Sequence, residues 1–239
     1  MTAYWLFPMA LWLLALPGVA DDTTATQDSD AKATGDFVER KLNEALEILT
    51  KEEIDEETKK EQVRALALGM FDVPFMAKQV IGRTHWPKFN ESQRQEFVNL
   101  FLRQLEASYF DKMDIFREAR FEYGEPLNKT KAGKKRKKYH VPTHVNYRDQ
   151  RYKILYKIRQ VVSVWRAYDV EVDGISVVMT YKNQYNQILQ TASPEDLLEK
   201  LREKSITLPA ELEKMEIEFQ ETHGTNVVAS KTETKEKKN

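Results

Sequence analysis

Four histidines and no cysteine set the limits of what this chain could catalyse. Without a thiol there is no disulfide, no thiolate nucleophile and no cysteine metal ligand. His140 and His144 stand four apart, a spacing that would put two imidazoles on one face of a helix and suit zinc. Pro142 between them, and the alternation of Val141, Thr143 and Val145, place them on a strand instead, so no metal site is expected; His85 and His223 are isolated. Ser176 follows Gly174-Ile175 with no base positioned beside it, and there is neither a G-x-S-x-G elbow nor a glycine-rich phosphate loop. We therefore expect no catalytic residue, no cofactor and no enzyme. Asp169 alternates away from Tyr168, Val170 and Val172, which favours a structural hydrogen bond or a partner surface over acid–base work.

The sharpest charge feature is Lys129–Lys138, KTKAGKKRKK. Such a run can address nucleic acid, anionic lipid headgroups or only water. Lys+Arg number 37 against 38 Asp+Glu, a net charge of -1, so nucleic acid is not expected. The run also falls between two predicted strands, which makes it a hairpin tip, either solvated or facing headgroups or a membrane partner.

The elements that must position these groups follow from periodicity. A hydrophobic content of 41% in 239 residues supports one sizeable core, while 31% charged residues and a mean hydropathy of -0.63 describe a heavily charged surface. Residues 1–20 carry no Lys, Arg, Asp or Glu and end in Gly18-Val19-Ala20, the form of a cleavable secretory signal peptide. Residues 21–35 are polar and read as a flexible leader. Phe37, Val38, Leu42, Ala45, Leu46 and Leu49 mark an amphipathic helix capped by Thr34 or Asp36. Asp72-Val73-Pro74 opens a helix ending near Gly82, and Asn90–Gln93 opens another with Phe97, Phe101, Leu105 and Tyr109 along one side.

From Phe121 the period changes to two. Phe121–Tyr123, Val141–Tyr147, Ile154–Ile158 and Val164–Val172 predict four strands in an antiparallel meander. Asp173-Gly174 makes a tight turn into a further extended run, Ile175–Tyr181, before a helix through Tyr185, Ile188 and Leu189. Ser193-Pro194 starts a last firm helix, and a short one is expected through Leu212, Met215 and Phe219 within the polar tail 209–239. The fold class is α+β: a curved antiparallel sheet of four strands, or five with the extended run, against a helix bundle.

Trp165, Tyr168, Asp169, Asp173, Gly174, Ile175 and Ser176 form W-x-x-Y-D-x-x-x-[DE]-G-[IV]-S, and this resembles the MlaC, or toluene-tolerance, family. A second stretch, Phe71-Asp72 through Ile81-Gly82 to Gln93, Arg94 and Phe97, is similar to the same family in the same order, so the likeness covers residues 36–208. The resemblance implies a periplasmic phospholipid carrier that shuttles lipid between an inner-membrane Mla-type ABC transporter complex and an outer-membrane lipoprotein complex. It implies no nucleic-acid partner, and we expect a monomer.

An apolar cavity between sheet and helices is part of that implication. Each buried methylene is worth roughly 0.8 kcal/mol, so two acyl chains left bare in water cost on the order of 20 kcal/mol. We assign the lining to Phe97, Phe101, Leu105 and Tyr109 from a helix, opposed by Tyr147, Ile154, Tyr156, Ile158, Tyr168, Val170 and Val172 from the sheet. The alternative is a secreted α+β interaction or adaptor domain whose core is closed and takes no lipid.

Overall fold

The structure is a computed structural model that describes residues 28–109, 114–204, 206, 207, 209, 210 and 212–214. The predicted signal peptide, all of the leader before Asp28, and Met215 and Phe219 lie outside these residues.

Helix α1, Ser29–Thr50, begins earlier than expected because the Asp28 carboxylate accepts from the Asp30 and Ala31 amides. The boundary placed at residue 36 therefore falls inside a helix, and Thr34, read as a cap, is fully buried within it. Helix α2, Glu56–Met70, is capped by Asp55, and α3, Val73–His85, by Asp72 with Pro74 in its first turn. Gly82 breaks α3 at φ 76°, ψ 172°, a conformation open to glycine alone, so the regular helix does end there. After a single 3-10 turn at Trp86–Lys88, Asn90 and Gln93 each accept the other's amide and open α4, Glu91–Tyr109. A short α5, Asp114–Glu118, leads into the sheet.

The sheet has six strands, antiparallel throughout. Long β3 (Lys138–Tyr147), β4 (Gln150–Val161) and β5 (Val164–Val172) form its body. β1 (Arg120–Tyr123) and the two-residue β2 (Leu127–Asn128) share the outer edge of β3, and β6 (Ile175–Ser176) adds two residues beside β5. The four expected strands are present. The extended run expected over Ile175–Tyr181 is not: α6 occupies Val177–Leu189, because Ser176 Oγ accepts the Met179 amide and Asp169 accepts the Val178 amide. Helix α7, Pro194–Arg202, starts from the Ser193–Asp196 capping box.

A β-bulge between Lys157 and Ile158 sets Asp169 opposite Lys157 and Ala167 opposite Ile158, leaving Tyr168 as the extra residue on β5. Alternation fails at that point. Buried apolar residues form two clusters: a helical one from α3, α4, α6 and α7, and a sheet one in which α1 and the end of α2 cover the inner face of β3, β4 and β5.

Candidate functional site

The inner face of the sheet is built in rows by strand register. Tyr139, Ile158 and Ala167 form one row; Val141, Tyr156 and Val170 the next; Thr143, Ile154 and Val172 the third. On α1, Phe37, Val38 and Leu42 recur at helical spacing and close over the middle of this face, joined by Met70 from α2. Coverage is incomplete. Phe121, Tyr123, Ile154, Trp165 and Val170 pack on the cluster while staying partly exposed. Phe116, Phe121 and Tyr123 stack in sequence at 6.3 and 6.4 Å between ring centroids and form a rim that ends in exposed Phe116. Tyr123 ties this rim to α1 by donating its hydroxyl to Asn43 Oδ1 at 3.3 Å.

The hydroxyls of Thr143 and Tyr156 lie within the middle rows of this apolar layer. Thr143 is fully buried, and its Oγ1 has no hydrogen-bond partner. Tyr156, its diagonal neighbour on β4, is buried too; burial first, and the Tyr123 phenol second, push its pKa well up, so it stays a neutral donor. A buried polar atom without a partner costs about 1–3 kcal/mol, which a structure tolerates when something else supplies the bond.

Phe97 and Phe101 are not across from this face. They stack at 6.0 Å inside the helical cluster, each meeting a tyrosine of α6 edge-on, Tyr185 and Tyr181 respectively, with Leu105 packed on the same cluster. Helix α4 faces α3 and α7, so the expected lining divides between two cores, and α1 stands where α4 was expected. The Tyr109 side chain is outside the described residues. Among the sheet residues, Tyr156 and Ile158 lie in the inner cluster, Ile154 and Val170 pack against it, and Val172 pairs with Ile154. Tyr147 is buried at the far end of β3, beneath the Arg148 guanidinium. Tyr168 is on the opposite face, edge-on to Phe75 of α3 and under Lys138 Nζ, because the bulge turns it there. The sheet cluster also holds Phe37, Val38, Leu42, Met70, Val141 and Ala167, none of them in the expected lining; the α1 stripe is legible in the sequence, but nothing in it says which layer it covers.

The MlaC protein family model matches residues 39–203, most of the chain and across both clusters. The chain belongs to the MlaC family. Among solved structures, it is similar to the phospholipid-binding protein from Ralstonia solanacearum, solved in complex with a phospholipid, at 20% identity and a TM-score of 0.61, covering 74% of this chain and 97% of that one. That likeness is one of fold. No curated protein matches.

In this MlaC-family chain the stretch Trp165–Ser176 works as a joint between the two cores. Asp169, 3% exposed, accepts from Ser176 Oγ at 2.6 Å, from the Val178 amide at 3.0 Å and from Lys157 Nζ at 2.8 Å. It therefore anchors the positive end of α6 to β5 and neutralises Lys157, which also pairs with Glu171. Three donors on this nearly fully buried carboxylate fit the structural hydrogen-bonding role expected of it. A similar tie joins Asp72, the α3 cap, to Arg159 at 3.3 Å. His140 and His144 lie on β3 as expected, and no group of three His, Asp or Glu that could hold a metal occurs among the described residues.

Proposed function

We propose that this protein is a periplasmic phospholipid carrier that holds acyl chains against the inner face of the sheet, beneath α1, and moves lipid between inner- and outer-membrane Mla-type complexes. Membership of the MlaC family and the likeness to a phospholipid-binding protein support a lipid ligand. The observation that favours this face is the aromatic run Phe116, Phe121 and Tyr123 at its margin, which ends in exposed Phe116, together with the unpartnered Thr143 hydroxyl beneath α1; the helical cluster also holds an unpartnered hydroxyl, on Tyr185, but there the rings of Phe97, Phe101, Tyr181 and Tyr185 pack directly on one another. Ester oxygens of a diacylglycerol fit beside that hydroxyl and the Tyr156 phenol, with the chains along the Val141–Tyr156–Val170 and Ile154–Val172 rows. No covalent step is required; binding and release are the whole mechanism. The shallow groove of about 470 Å³ along α1, lined by Asp36, Glu39, Arg40, Asn43, Glu44 and Glu47, is too polar to take part in holding chains.

Protein purified without detergent is expected to carry phospholipid in native mass spectra. Val170→Asp puts a charge at the partly exposed margin of the sheet cluster and should empty the protein while its circular dichroism stays unchanged. Wild-type protein that is free of lipid would favour the closed adaptor domain. A full load in the Val170→Asp variant would move the site off this face.

A further inference from the structure

The end of the sheet where β2 meets β3 carries two features that neither core uses. The first is cationic. Residues 129–137 close the β2–β3 hairpin, and Lys129, Lys131, Lys134, Lys135, Arg136, Lys137 and Lys138 follow one another with no acid between them. Residues 131–137 are exposed, and among the described residues only Lys137 of the seven has a carboxylate partner, Asp30 on the first turn of α1. The hairpin is nonetheless held in place: the Lys129 amide donates to Lys138 O at 2.8 Å, and Tyr139 donates its hydroxyl to the α1 cap Asp28 at 2.8 Å.

The second feature is apolar and lies beside the first. Lys138 pairs with Arg159, and the Gln160 amide donates to Lys137 O at 3.0 Å, so the β4–β5 turn emerges next to the base of the cationic loop. At that turn Val162 is 97% exposed at φ 55°, and Val164 is 45% exposed. A β-branched residue is strained at positive φ and gains nothing from full hydration, so packing gives no reason for a valine there. Leu127, on β2 below the same loop, is 49% exposed. Cations alone fit any polyanion. Cations flanking a projecting aliphatic tip fit a surface that is anionic outside and apolar a few ångströms deeper.

We propose that the 129–137 loop and the Val161–Val164 turn form a docking surface for an anionic phospholipid bilayer, with the loop cations at headgroup phosphates and Val162 in the interfacial layer. This surface is separate from the acyl-chain site and does not depend on the protein carrying lipid. Flotation of the full-length chain with vesicles of phosphatidylcholine alone, or mixed with phosphatidylglycerol, tests it; the neutral vesicles measure any contribution of the apolar residues 1–20. Binding at low salt should favour the anionic vesicles by ~10-fold or more, and most of that preference should vanish at high salt as screening shortens. The triple variant Lys134→Glu/Lys135→Glu/Arg136→Glu alters exposed positions only and should lose the preference without shifting the thermal midpoint. Val162→Ser should weaken anionic binding by about threefold while keeping its salt dependence. A triple variant that retains the preference would overturn the proposal. So would capture of the wild type on polyglutamate with no preference between the two vesicles, which would make the partner an acidic protein. Phospholipid extracted from the same preparations reports separately on the carrier reading.

Discussion

Thr143 is the residue at which the carrier reading and a plain structural reading part company. Its side chain is fully enclosed between Val141 and Val145 on the inner face, and its hydroxyl has no partner. For folding alone the oxygen is a liability, so Thr143→Val should leave the empty protein unchanged or more stable by about 1 kcal/mol in urea titrations. If the hydroxyl serves a lipid ester, the same variant should lose lipid in competition by about threefold to tenfold. A gain in stability with undiminished lipid would make Thr143 an ordinary buried imperfection. Two histidines supply a separate residue-level expectation. Burial first and nearby cations second lower the pKa of both His140, beside Lys157 and Lys129, and His85, beside Lys88. A histidine whose folded pKa lies below its unfolded value near 6.5 binds more protons when unfolded, so its stabilising effect is complete above that pH and is lost as pH falls below it. The thermal midpoint should therefore drop between pH 7 and 5, and His140→Gln should flatten part of that slope. An unchanged slope would mean that His140 does not set it. The carboxylates with depressed pKa values, Asp28 through its bond from Tyr139 and Glu96 through Arg202, act in a lower window, as pH falls through their own range.

At the scale of elements, starts and stops were legible wherever one side chain enforces them. Asp72-Val73-Pro74, Asn90–Gln93 and Ser193-Pro194 each cap the helix expected of them, because the cap bond is local in sequence. The sequence was misleading where a distant group decides. Val177–Tyr181 reads as extended by its apolar run, yet Asp169, eight residues before Val177, holds the first turn of α6 through the Val178 amide. Tyr168 reads as inward because nothing in the strand announces that β4 and β5 will slip by a residue at Lys157/Ile158. Strands of two residues, β2 and β6, are too short for any period to show. Gly82 is the local signal with the largest consequence. Its backbone at φ 76°, ψ 172° turns the chain from α3 toward Trp86, which stacks on Phe89 at 6.2 Å. A Cβ there would stand 3.4 Å from Lys182 Cε, ordinary contact, so space is not the obstacle. Gly82→Ala should nevertheless cost roughly 1–3 kcal/mol through backbone strain, read as a lowered urea midpoint. A loss well under that range would mean the kink relaxes into regular helix.

For the molecule as a whole, the sequence could name the aromatic stripe of α4 and the apolar strands but not pair them, since periodicity reports that a face is dry and not what dries it. The pairing matters because the two cores should respond differently to a ligand. The helical core buries stacked Phe97 and Phe101 against Tyr181 and Tyr185 and reaches the surface through Phe89 at partly exposed Trp86, whereas the sheet core ends at exposed Phe116 through Phe121 and Tyr123. The cover of the sheet rests on α1, which is tied to the strands and the β2–β3 hairpin by side-chain bonds from its N-terminal end, Asp28 to Tyr139 and Asn128 and Asp30 to Lys137, and from Asn43 in its second half to Tyr123. If lipid fills the layer beneath α1, as proposed, it stabilises that layer by mass action, and extracting it should loosen α1 first. Amide hydrogen exchange on lipid-loaded and delipidated protein would read this directly. Exchange in α1 and at the exposed edge of β1 should quicken on delipidation, while α4 and α6 keep their rates, because Phe71 is the one described apolar side chain that packs on both clusters and Asp169 fixes α6 to β5 regardless of lipid. Equal acceleration in α4 would show that the two cores open together, and that the lining assigned to Phe97 and Phe101 belongs to the lipid after all.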